Sequence, residues 1–321
     1  MNRLEPAEFR ARAAEHAAAT VATPGVCSFC SGPLWQLAAH DRLHANEPAR
    51  RLFFAEDSGA WLALAERSRP GFLHPLEGAW MLGSSLVGPP AAAARLLLAC
   101  IDAEGEEIGA ILLGGLVRGG AMHRAAARAL RRRGRILREL PGTGSMQIDL
   151  GDGFRAWLRR RSRKFRRNAG RLADPPPGIV LEDASQGDPA ELLPRILSIQ
   201  RRCHKWRRGG DIFQEPAYAD FYEALLHGLR RTGALRLLFA KRDGADLAHI
   251  FGGVVADRYR GLQMSYAEEA RELALGNWLQ LENLRRRADE GVAVYDLGMP
   301  APYKERWADR LQERIGLLWL A

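Results

Sequence analysis

The stretch Val294-Tyr-Asp-Leu-Gly-Met-Pro-Ala-Pro-Tyr-Lys304 decides how the rest of the chain is interpreted. Its short apolar run through Tyr295 predicts a buried strand, which stops at Gly298 and the following prolines because these cannot continue a ladder. Tyr303 and Lys304 then stand where a helix begins. Polar side chains just beyond the carboxyl end of a central strand are well placed to meet a ligand, although an ordinary turn with a surface Tyr and Lys fits the spacing equally well.

Length and composition predict a soluble chain with enough apolar residues for real cores. The 321 residues are 47% hydrophobic and carry a formal charge of +9, and this length suggests about two domains. No apolar run approaches the roughly 20 residues that span a bilayer, and the charged start, Met1-Asn-Arg-Leu-Glu-Pro, lacks the apolar core of a signal peptide. We therefore expect a cytoplasmic protein without a membrane span.

The cysteines do not form a recognisable metal or redox centre. Cys27 and Cys30 make a single CxxC, whereas a zinc site needs a second pair of ligands and a thioredoxin-like centre needs a strand before the motif. We interpret them as inert, partly buried thiols and expect no metal. Cys203 and His204 are neighbours in a predicted helix and do not face each other, so we do not expect a catalytic pair there.

Residues 1–152 mix strands and helices in one sheet-containing domain. Two apolar runs, residues 51–56 and 60–66, are joined by Asp57-Ser58-Gly59 and predict a hairpin. No catalytic constellation is visible in this part of the chain. We expect it to serve as a scaffold domain.

Residues 153–173 form a strongly basic segment with no acidic residue. Apolar residues recur in it at helical spacing, which predicts one amphipathic helix connecting two domains. Such a helix could bind the phosphates of a ligand, or it could be a solvated linker whose arginine stems cover the sheet. The cationic residues are Arg155, Arg159, Arg160, Arg161, Arg163, Lys164, Arg166, Arg167 and Arg171.

The run Asp174-Pro-Pro-Pro-Gly breaks that helix, and residues 174–321 form the second predicted domain. Their periodicity gives the order β-α-α-β-β-β-α-β-α-β, with a final strand over residues 314–320. Strands and helices alternating in this way indicate an α/β fold, here an α+β mixed sheet.

Four features of this region carry a resemblance. They are the basic run Arg161-Ser-Arg-Lys-Phe-Arg-Arg-Asn, the hairpin of residues 237–253, Ser265-Tyr266 followed by Leu275-Gly276-Asn277, and Tyr295-Asp-Leu-Gly with Tyr303-Lys304 behind it. In this order they resemble the GNAT acyltransferase superfamily. The resemblance is strongest to a bacterial branch that is named after cellulose-biosynthesis accessory proteins. That branch is related to the Fem-type aminoacyl transferases. The resemblance covers about residues 150–310. It implies a tandem GNAT-like architecture, with a degenerate N-terminal unit before the acyltransferase domain.

The resemblance implies an N-acyltransferase with acyl-CoA or an acyl carrier protein as co-substrate. GNAT proteins hold the donor pyrophosphate on backbone N–H groups at a helix N-terminus, in the pattern Gln/Arg-x-x-Gly-x-Gly/Ala. The matching stretch, residues 272–278, keeps only the middle glycine, so the donor could instead be a carrier protein or an aminoacyl-tRNA. The expected donor-binding residues are Leu275, Gly276, Asn277, Arg163 and Lys164.

Four residues are the expected catalytic groups. By its resemblance to related transferases, Lys304 would place a cation near the reacting carbonyl, where it would stabilise the oxyanion. Tyr303 could protonate the leaving thiolate, and Asp296 could orient Lys304 or the amine, or simply cap the turn. His249, on a predicted apolar strand, could accept the proton of the amine or be an ordinary core histidine.

The acceptor is expected to be an amine-bearing small molecule, peptide or sugar. Ser265 and Tyr266 are candidates for binding it, and by resemblance so are Trp206 and Phe213, on the loop that shapes the acceptor pocket in GNAT folds. Two alternatives stay open: a Fem-like transferase that uses charged tRNA, and a non-catalytic module in polysaccharide or cell-envelope assembly. We expect no DNA partner, because no helix-turn-helix or zinc-finger pattern is present.

Overall fold

Two sheets organise the chain, of which the computed structural model describes residues 2–47, 50–66, 69–78, 80–133 and 136–321. Residues 1–144 and 312–321 form one unit, and residues 145–311 form the other. The mixed α/β class expected from the sequence is confirmed.

The first unit contains an eight-stranded sheet in the order β1-β2-β3-β4-β6-β15-β7, with β5 on β3. Its strands are β1 (Asn2–Leu4), β2 (Arg50–Ala55), β3 (Trp61–Glu66), β4 (Phe72–Pro75), β5 (Leu86–Val87), β6 (Ala110–Val117), β7 (Ile136–Pro141) and β15 (Arg314–Leu320). Its helices are α1 (Pro6–Ala11), α2 (Ala13–Ala22), α3 (Pro33–Leu43), α4 (Pro90–Glu104) and α5 (Ala121–Arg131). The predicted hairpin is confirmed as β2 paired antiparallel with β3.

The second unit contains a seven-stranded sheet in the order β14-β8-β13-β12-β11-β10-β9. Its strands are β8 (Ser145–Asp149), β9 (Val180–Asp183), β10 (Leu235–Arg242), β11 (Ala245–Val255), β12 (Arg258–Tyr266), β13 (Val294–Asp296) and β14 (Arg310–Gln312). Its helices are α6 (Gly153–Arg159), α7 (Arg163–Arg171), α8 (Pro189–Arg201), α9 (His204–Arg207), α10 (Pro216–Arg231), α11 (Leu275–Asp289) and α12 (Pro302–Glu305). The neighbours β12 and β13 are parallel.

Two strands lie in a different sheet from the one that the predicted domain boundaries imply. Strand β15, expected in the second domain, pairs with β6 and β7 in the first sheet, and Leu317 and Trp319 are buried in its core. Strand β8, expected in the first domain, pairs with β13 in the second sheet. An apolar run predicts a strand but does not specify its partner, because pairing depends on residues far away in sequence.

The basic segment is two helices rather than the single connecting helix that its periodicity predicts. The Ser162 hydroxyl accepts a hydrogen bond from the Phe165 N–H (3.2 Å), which caps the start of α7 and separates it from α6. Trp157 of α6 is fully buried, and its ring stacks parallel to that of Trp307 at 6.2 Å. The segment therefore belongs to the core of the second unit and is not a linker.

A buried carboxyl group makes the stability of the first unit depend on pH. Glu77 is completely buried and accepts hydrogen bonds from the Trp35 indole N–H and from the Leu82 N–H (2.6 Å). Burial raises its pKa from 4.5 to about 7. Between these two values the unfolded chain loses the proton first, so the contribution of Glu77 to stability falls as pH rises through this window.

We expect Glu77→Gln to remove this pH dependence. Wild-type stability should fall by on the order of 3 kcal/mol from this group between pH 4.5 and pH 8, and the difference should vanish in the variant. Thermal unfolding of both proteins across this range measures it, with the exposed Glu313→Gln as the matched control. An unchanged pH slope in the Glu77 variant would contradict the prediction.

Candidate active site

The central feature of the second unit is the point where two parallel strands separate. Residues 258–260 of β12 pair with residues 294–296 of β13. Beyond this point β13 ends, and the chain turns toward Met146, whose N–H donates to the Gly298 carbonyl (2.9 Å) and whose carbonyl accepts from the Leu297 N–H (2.8 Å). Strand β12 continues to Tyr266 without β13 beside it. The separation leaves one edge of β12 open.

A cleft of about 450 Å³ lies along the end of β12. It brings together the segment after α8, the last residues of β12, the start of α11 and the region of α12. Its lining residues are Cys203, His204, Lys205, Met264, Ser265, Tyr266, Arg271, Ala274, Gly276, Asn277, Tyr303 and Arg306. Among the described residues that line it there is no carboxylate, so the cleft is suited to an anionic ligand.

The start of α11 can bind an anion in this cleft. Ala274 precedes the helix in the left-handed conformation (φ 52°, ψ 30°) and provides no side-chain cap. The N–H groups of Leu275 and Gly276 occupy the first two helical positions, where no intrahelical acceptor exists. A Cβ on Gly276 would lie 3.4 Å from Tyr266 Cδ1. Glycine therefore leaves space in front of amides that favour negative charge.

Lys304 lies beside the point where the strands separate. Its Nζ donates to the Met299 carbonyl (2.8 Å) and is 5.7 Å from the centre of the Tyr303 ring. Gly298 has a φ of +84°, and a Cβ there would be 3.7 Å from both Lys304 Nζ and Arg260 Nη2. Two cationic groups therefore approach the same glycine.

A buried ion pair supports this arrangement. Arg260 of β12 contacts Asp296 of β13 at 2.9 Å, and both side chains are less than a tenth exposed. The other Asp296 oxygen accepts from the Gly298 N–H (2.7 Å), which holds the turn. Asp296 thus shapes the surroundings of Lys304 rather than bonding to it.

The surroundings of Lys304 make its ammonium group easier to deprotonate. Burial and the nearby Arg260 charge lower the pKa of Lys304 from 10.5 to about 8, although the Asp296 charge acts in the opposite direction. The group therefore changes charge just above neutral pH.

His249 does not line the cleft. It is completely buried on β11, opposite Ser265 in the strand register, with Phe239 and Phe251 as ring neighbours. Neither ring nitrogen has a hydrogen-bond partner among the described residues. Burial, assisted by the charge of Lys205, lowers its pKa to about 3, so the imidazole is neutral. Its expected role as proton acceptor stays a prediction that this position does not favour.

Two of the three expected acceptor-binding aromatic residues, Trp206 and Phe213, also lie outside the cleft lining. Phe213 is buried against Tyr222, with ring centres 4.9 Å apart, and Trp206 is half-buried in α9. The nearby residues Cys203 and Lys205 line the cleft instead. A loop can be located from sequence, but the direction of each side chain depends on how its short helix packs.

Three cleft cations were missed from the sequence: Lys205, Arg271 and Arg306. Arg271 immediately precedes the stretch matched to the pyrophosphate pattern, whose leading basic residue is absent. Its position directly before residue 272 was the sequence signal that could have identified Arg271 as a cleft residue. Arg306 follows α12 and donates to the Asn277 side-chain oxygen (2.8 Å). Of the two basic residues expected to bind donor, Lys164 lines a neighbouring groove and Arg163 lines neither cavity.

Two further results concern metals and membranes. Among the described residues, no group of three or more His, Cys, Asp or Glu is placed to hold a metal ion. All four cysteines are buried free thiols. No helix in the described part of the chain has both the length and the apolar character needed to cross a membrane.

Comparisons with known proteins agree with this architecture. A family model described as an acetyltransferase (GNAT) domain matches residues 152–305. No curated protein matches the chain significantly by sequence. Among solved structures, FemX is 14% identical with a TM-score of 0.71, and the alignment covers 100% of this chain and 98% of FemX.

Two other solved structures are similar over nearly the whole chain. A conserved protein of unknown function from Bacteroides thetaiotaomicron is 14% identical with a TM-score of 0.64, covering 97% of each chain. A tandem GNAT protein from the clavulanic acid biosynthesis pathway is 16% identical with a TM-score of 0.50, covering 99% of this chain and 97% of its own. At these identities the likeness concerns the fold. Residues 152–305 thus match a GNAT acetyltransferase domain, and the fold of the whole chain is similar to those of FemX and of a tandem GNAT protein.

Proposed function

We propose that this protein is an N-acyltransferase that moves an acyl group from an acyl thioester, carried by coenzyme A or an acyl carrier protein, to an amine. The observation that carries the proposal is the cleft beside β12. It combines the free amides at the start of α11 with Tyr303, next to the point where β12 and β13 separate. These parts can hold a donor and polarise its carbonyl.

The reaction is a direct attack. The amine nitrogen forms a bond to the thioester carbon, the carbonyl oxygen becomes negative, and the carbon–sulfur bond then breaks to release a thiolate. Lys304, as an ammonium, stabilises the oxyanion. Tyr303 supplies a proton to the thiolate and takes back the proton that the attacking nitrogen loses, so the enzyme returns to its starting protonation state. Asp296 acts indirectly, through Arg260 and the Gly298 turn.

The residues that line the cleft also support a class of acceptor. Ser265 and Tyr266 line it, and its cations Lys205, Arg271 and Arg306 favour an amine-bearing small molecule, peptide or sugar that also carries negative charge. We place the reaction in the cytoplasm, where acyl thioesters of coenzyme A are available.

Thermal unfolding with coenzyme A, acetyl-CoA and a long-chain acyl-CoA tests the donor class. A ligand at about a hundred times its dissociation constant should add about 2.7 kcal/mol of stability. Gly276→Glu should abolish the shift, because the carboxylate would enter the cleft and repel phosphate at the helix start. Gly276→Ala is the matched control, since its Cβ makes ordinary contact with Tyr266. No shift with any thioester would overturn the coenzyme A assignment.

A second candidate is aminoacyl transfer from charged tRNA, as in Fem-type enzymes. The observation that favours it is the cationic surface of residues 153–173, where only Arg160 and Arg161 have a carboxylate partner among the described residues. This candidate requires affinity for charged tRNA that falls steeply with salt. Salt-independent or absent RNA binding would eliminate it.

A further inference from the structure

Cys27 and Cys30, in the first unit, lie in one turn whose geometry allows a disulfide between them. The Ser31 N–H donates to the Cys27 carbonyl (2.8 Å), so residues 27–31 form a turn closed by the hydrogen bond of an α-helix. Helix geometry places Cα atoms three residues apart at about 5 Å, within the usual range for a disulfide of roughly 4.4–6.8 Å. The Cys30 N–H also donates to the Cys27 sulfur (3.3 Å), so the first thiol points toward the second residue.

The two cysteines differ in their access to solvent. Cys27 is 8% exposed, whereas Cys30 is fully buried. A reagent from solvent therefore meets Cys27 before Cys30. Thiol–disulfide exchange uses two such thiols in sequence, because one attacks the reagent to form a mixed disulfide and the other then displaces it.

The loop that follows β4 packs directly against the turn that holds the two cysteines. The Gln36 side chain joins them, since its Nε2 donates to the Cys30 carbonyl (2.6 Å) and its Oε1 accepts from the Glu77 N–H (3.2 Å). Farther along this loop, a Cβ on Gly83 would collide with the Cys30 carbonyl oxygen. The loop therefore holds Glu77 in a fixed position relative to both cysteines.

This packing places the Glu77 carboxyl group near the Cys27 thiol. Hydrogen bonds from Trp35 and Leu82 hold the carboxyl group in place. Burial raises the pKa of Glu77 to about 7, and the nearby Cys27 thiol acts in the same direction. His44 also faces Glu77, but its Nε2 contacts the main-chain oxygen (3.2 Å) and not the carboxyl group. Glu77 is thus a carboxyl group that can exchange a proton with Cys27 near neutral pH.

We propose that Cys27 and Cys30 form a redox-active dithiol that small organic disulfides oxidise reversibly, with Glu77 as the proton acceptor of Cys27. In the first step Glu77 takes the Cys27 proton, the thiolate attacks the organic disulfide RSSR, and one RS⁻ leaves. In the second step the Cys30 sulfur attacks the Cys27 sulfur, and the second RS⁻ leaves. The protein gives up two electrons and two protons, and RSSR becomes two RSH.

This site replaces the interpretation of the two cysteines as inert thiols. The sequence lacks the strand that precedes a thioredoxin-like motif, and the structure has helix α2 before Cys27. The proton acceptor comes instead from the loop after β4, which no local pattern around the motif indicates. Among the described residues no third ligand completes a metal site with the two thiols. The chemistry that this geometry supports is therefore thiol–disulfide exchange.

Thiol counting in glutathione redox buffers tests the proposal on the full chain. The folded protein is equilibrated with reduced and oxidised glutathione, quenched with acid, unfolded and alkylated, and its intact mass gives the number of thiols. We expect oxidation to remove two of the four thiols, at Cys27 and Cys30 by peptide mapping, and reduction to restore them. Cys100→Ala, a buried cysteine outside the motif, is the matched control and should lose the same two thiols. Persistence of all four thiols in fully oxidised buffer would overturn the proposal.

Single substitutions test the order of the two steps. Cys30→Ser cannot resolve the mixed disulfide, so one glutathione should accumulate on Cys27. Cys27→Ser should carry no glutathione, because Cys30 is fully buried. An adduct on Cys30, or none on Cys27, would overturn the assigned order. These masses do not depend on transferase activity, so the outcome is independent of the proposed function.

Glu77→Gln tests the proton acceptor through the pH profile of oxidation. The wild-type rate should rise as pH passes about 7, because Glu77 then becomes able to accept the thiol proton. In Glu77→Gln this rise should vanish, and the rate at pH 8 should fall by about tenfold or more. His44→Gln is the matched control and should keep the rise, since its ring contacts only the main chain of Glu77. An unchanged rise in Glu77→Gln would overturn the role of the carboxyl group.

Discussion

Replacing Lys304 with alanine is expected to lower kcat for acyl transfer by a factor of about 10² to 10³, the usual cost of removing one oxyanion-stabilising group. The ammonium would act on charge that develops only in the transition state, so kcat should fall more than KM rises. Steady-state rates with the donor identified by thermal unfolding measure the effect. Full activity in Lys304→Ala would refute the assignment.

The charge state of Lys304 provides a second readout. With a pKa of about 8, the group loses its proton as pH rises above this value, so the oxyanion-stabilising contribution should decline on the alkaline side. Lys304→Arg keeps its charge at these pH values, so the decline near pH 8 should disappear even if the rate is lower. A wild-type rate that keeps rising to pH 10 would show that the ammonium is not required.

A folding control accompanies these variants. Folding lowers the pKa of Lys304, so the charged side chain destabilises the folded state at pH 7. This free-energy penalty is relieved as pH rises from about 8 to 10.5. Lys304→Met should therefore unfold at a slightly higher temperature at pH 7, with a gain on the order of 1 kcal/mol. A loss of activity in a variant at least as stable as wild type cannot be attributed to misfolding.

Breaking the Arg260–Asp296 ion pair should have the largest effect on stability. Asp296→Asn removes the carboxylate that faces the buried Arg260 charge, and breaking a buried ion pair typically costs about 3–5 kcal/mol. It also weakens the anchor of the Gly298 turn and removes a negative charge that supports the ammonium form of Lys304. Chemical denaturation should show a lower midpoint for Asp296→Asn.

Two controls make this prediction specific. Glu269→Gln removes a carboxylate from an exposed pair with Arg202, and its cost should stay below about 1 kcal/mol. The double substitution Arg260→Met with Asp296→Met removes both buried charges, so it should be less destabilising than Asp296→Asn alone. An Asp296→Asn variant as stable as the Glu269 variant would contradict this account of the pair.

The order of the main elements over residues 174–305 was predictable because it follows from local periodicity. Alternating apolar residues, the proline run at 175–177 and the glycines at 244 and 276 mark where strands and helices begin and end. The β2–β3 hairpin was predictable for the same reason, since its turn residues and both strands lie within about twenty residues. Such signals depend only on residues that are close together in the sequence.

The cleft was only partly predictable. Ser265, Tyr266, Gly276, Asn277 and Tyr303 were singled out from sequence, and the structure places them in one lining. The other residues singled out from sequence do not line it; these are His249, Trp206, Phe213, Asp296, Lys304, Leu275, Arg163 and Lys164. Periodicity assigns a residue to a strand face or a loop, whereas exposure to a cleft depends on which element covers that face.

By itself, the sequence determined the α/β class, the order of elements over residues 174–305 and the resemblance to the GNAT superfamily, because these are written in local patterns and spacing. Only the tertiary structure decided that β15 pairs in the first sheet and β8 in the second, that the basic segment breaks at Ser162, and that Arg260 and Lys304 approach one glycine. The physical reason is that strand pairing and charge proximity join residues that are distant in sequence. The energies of strand pairing and of charge interactions depend on burial and register, which no local pattern encodes.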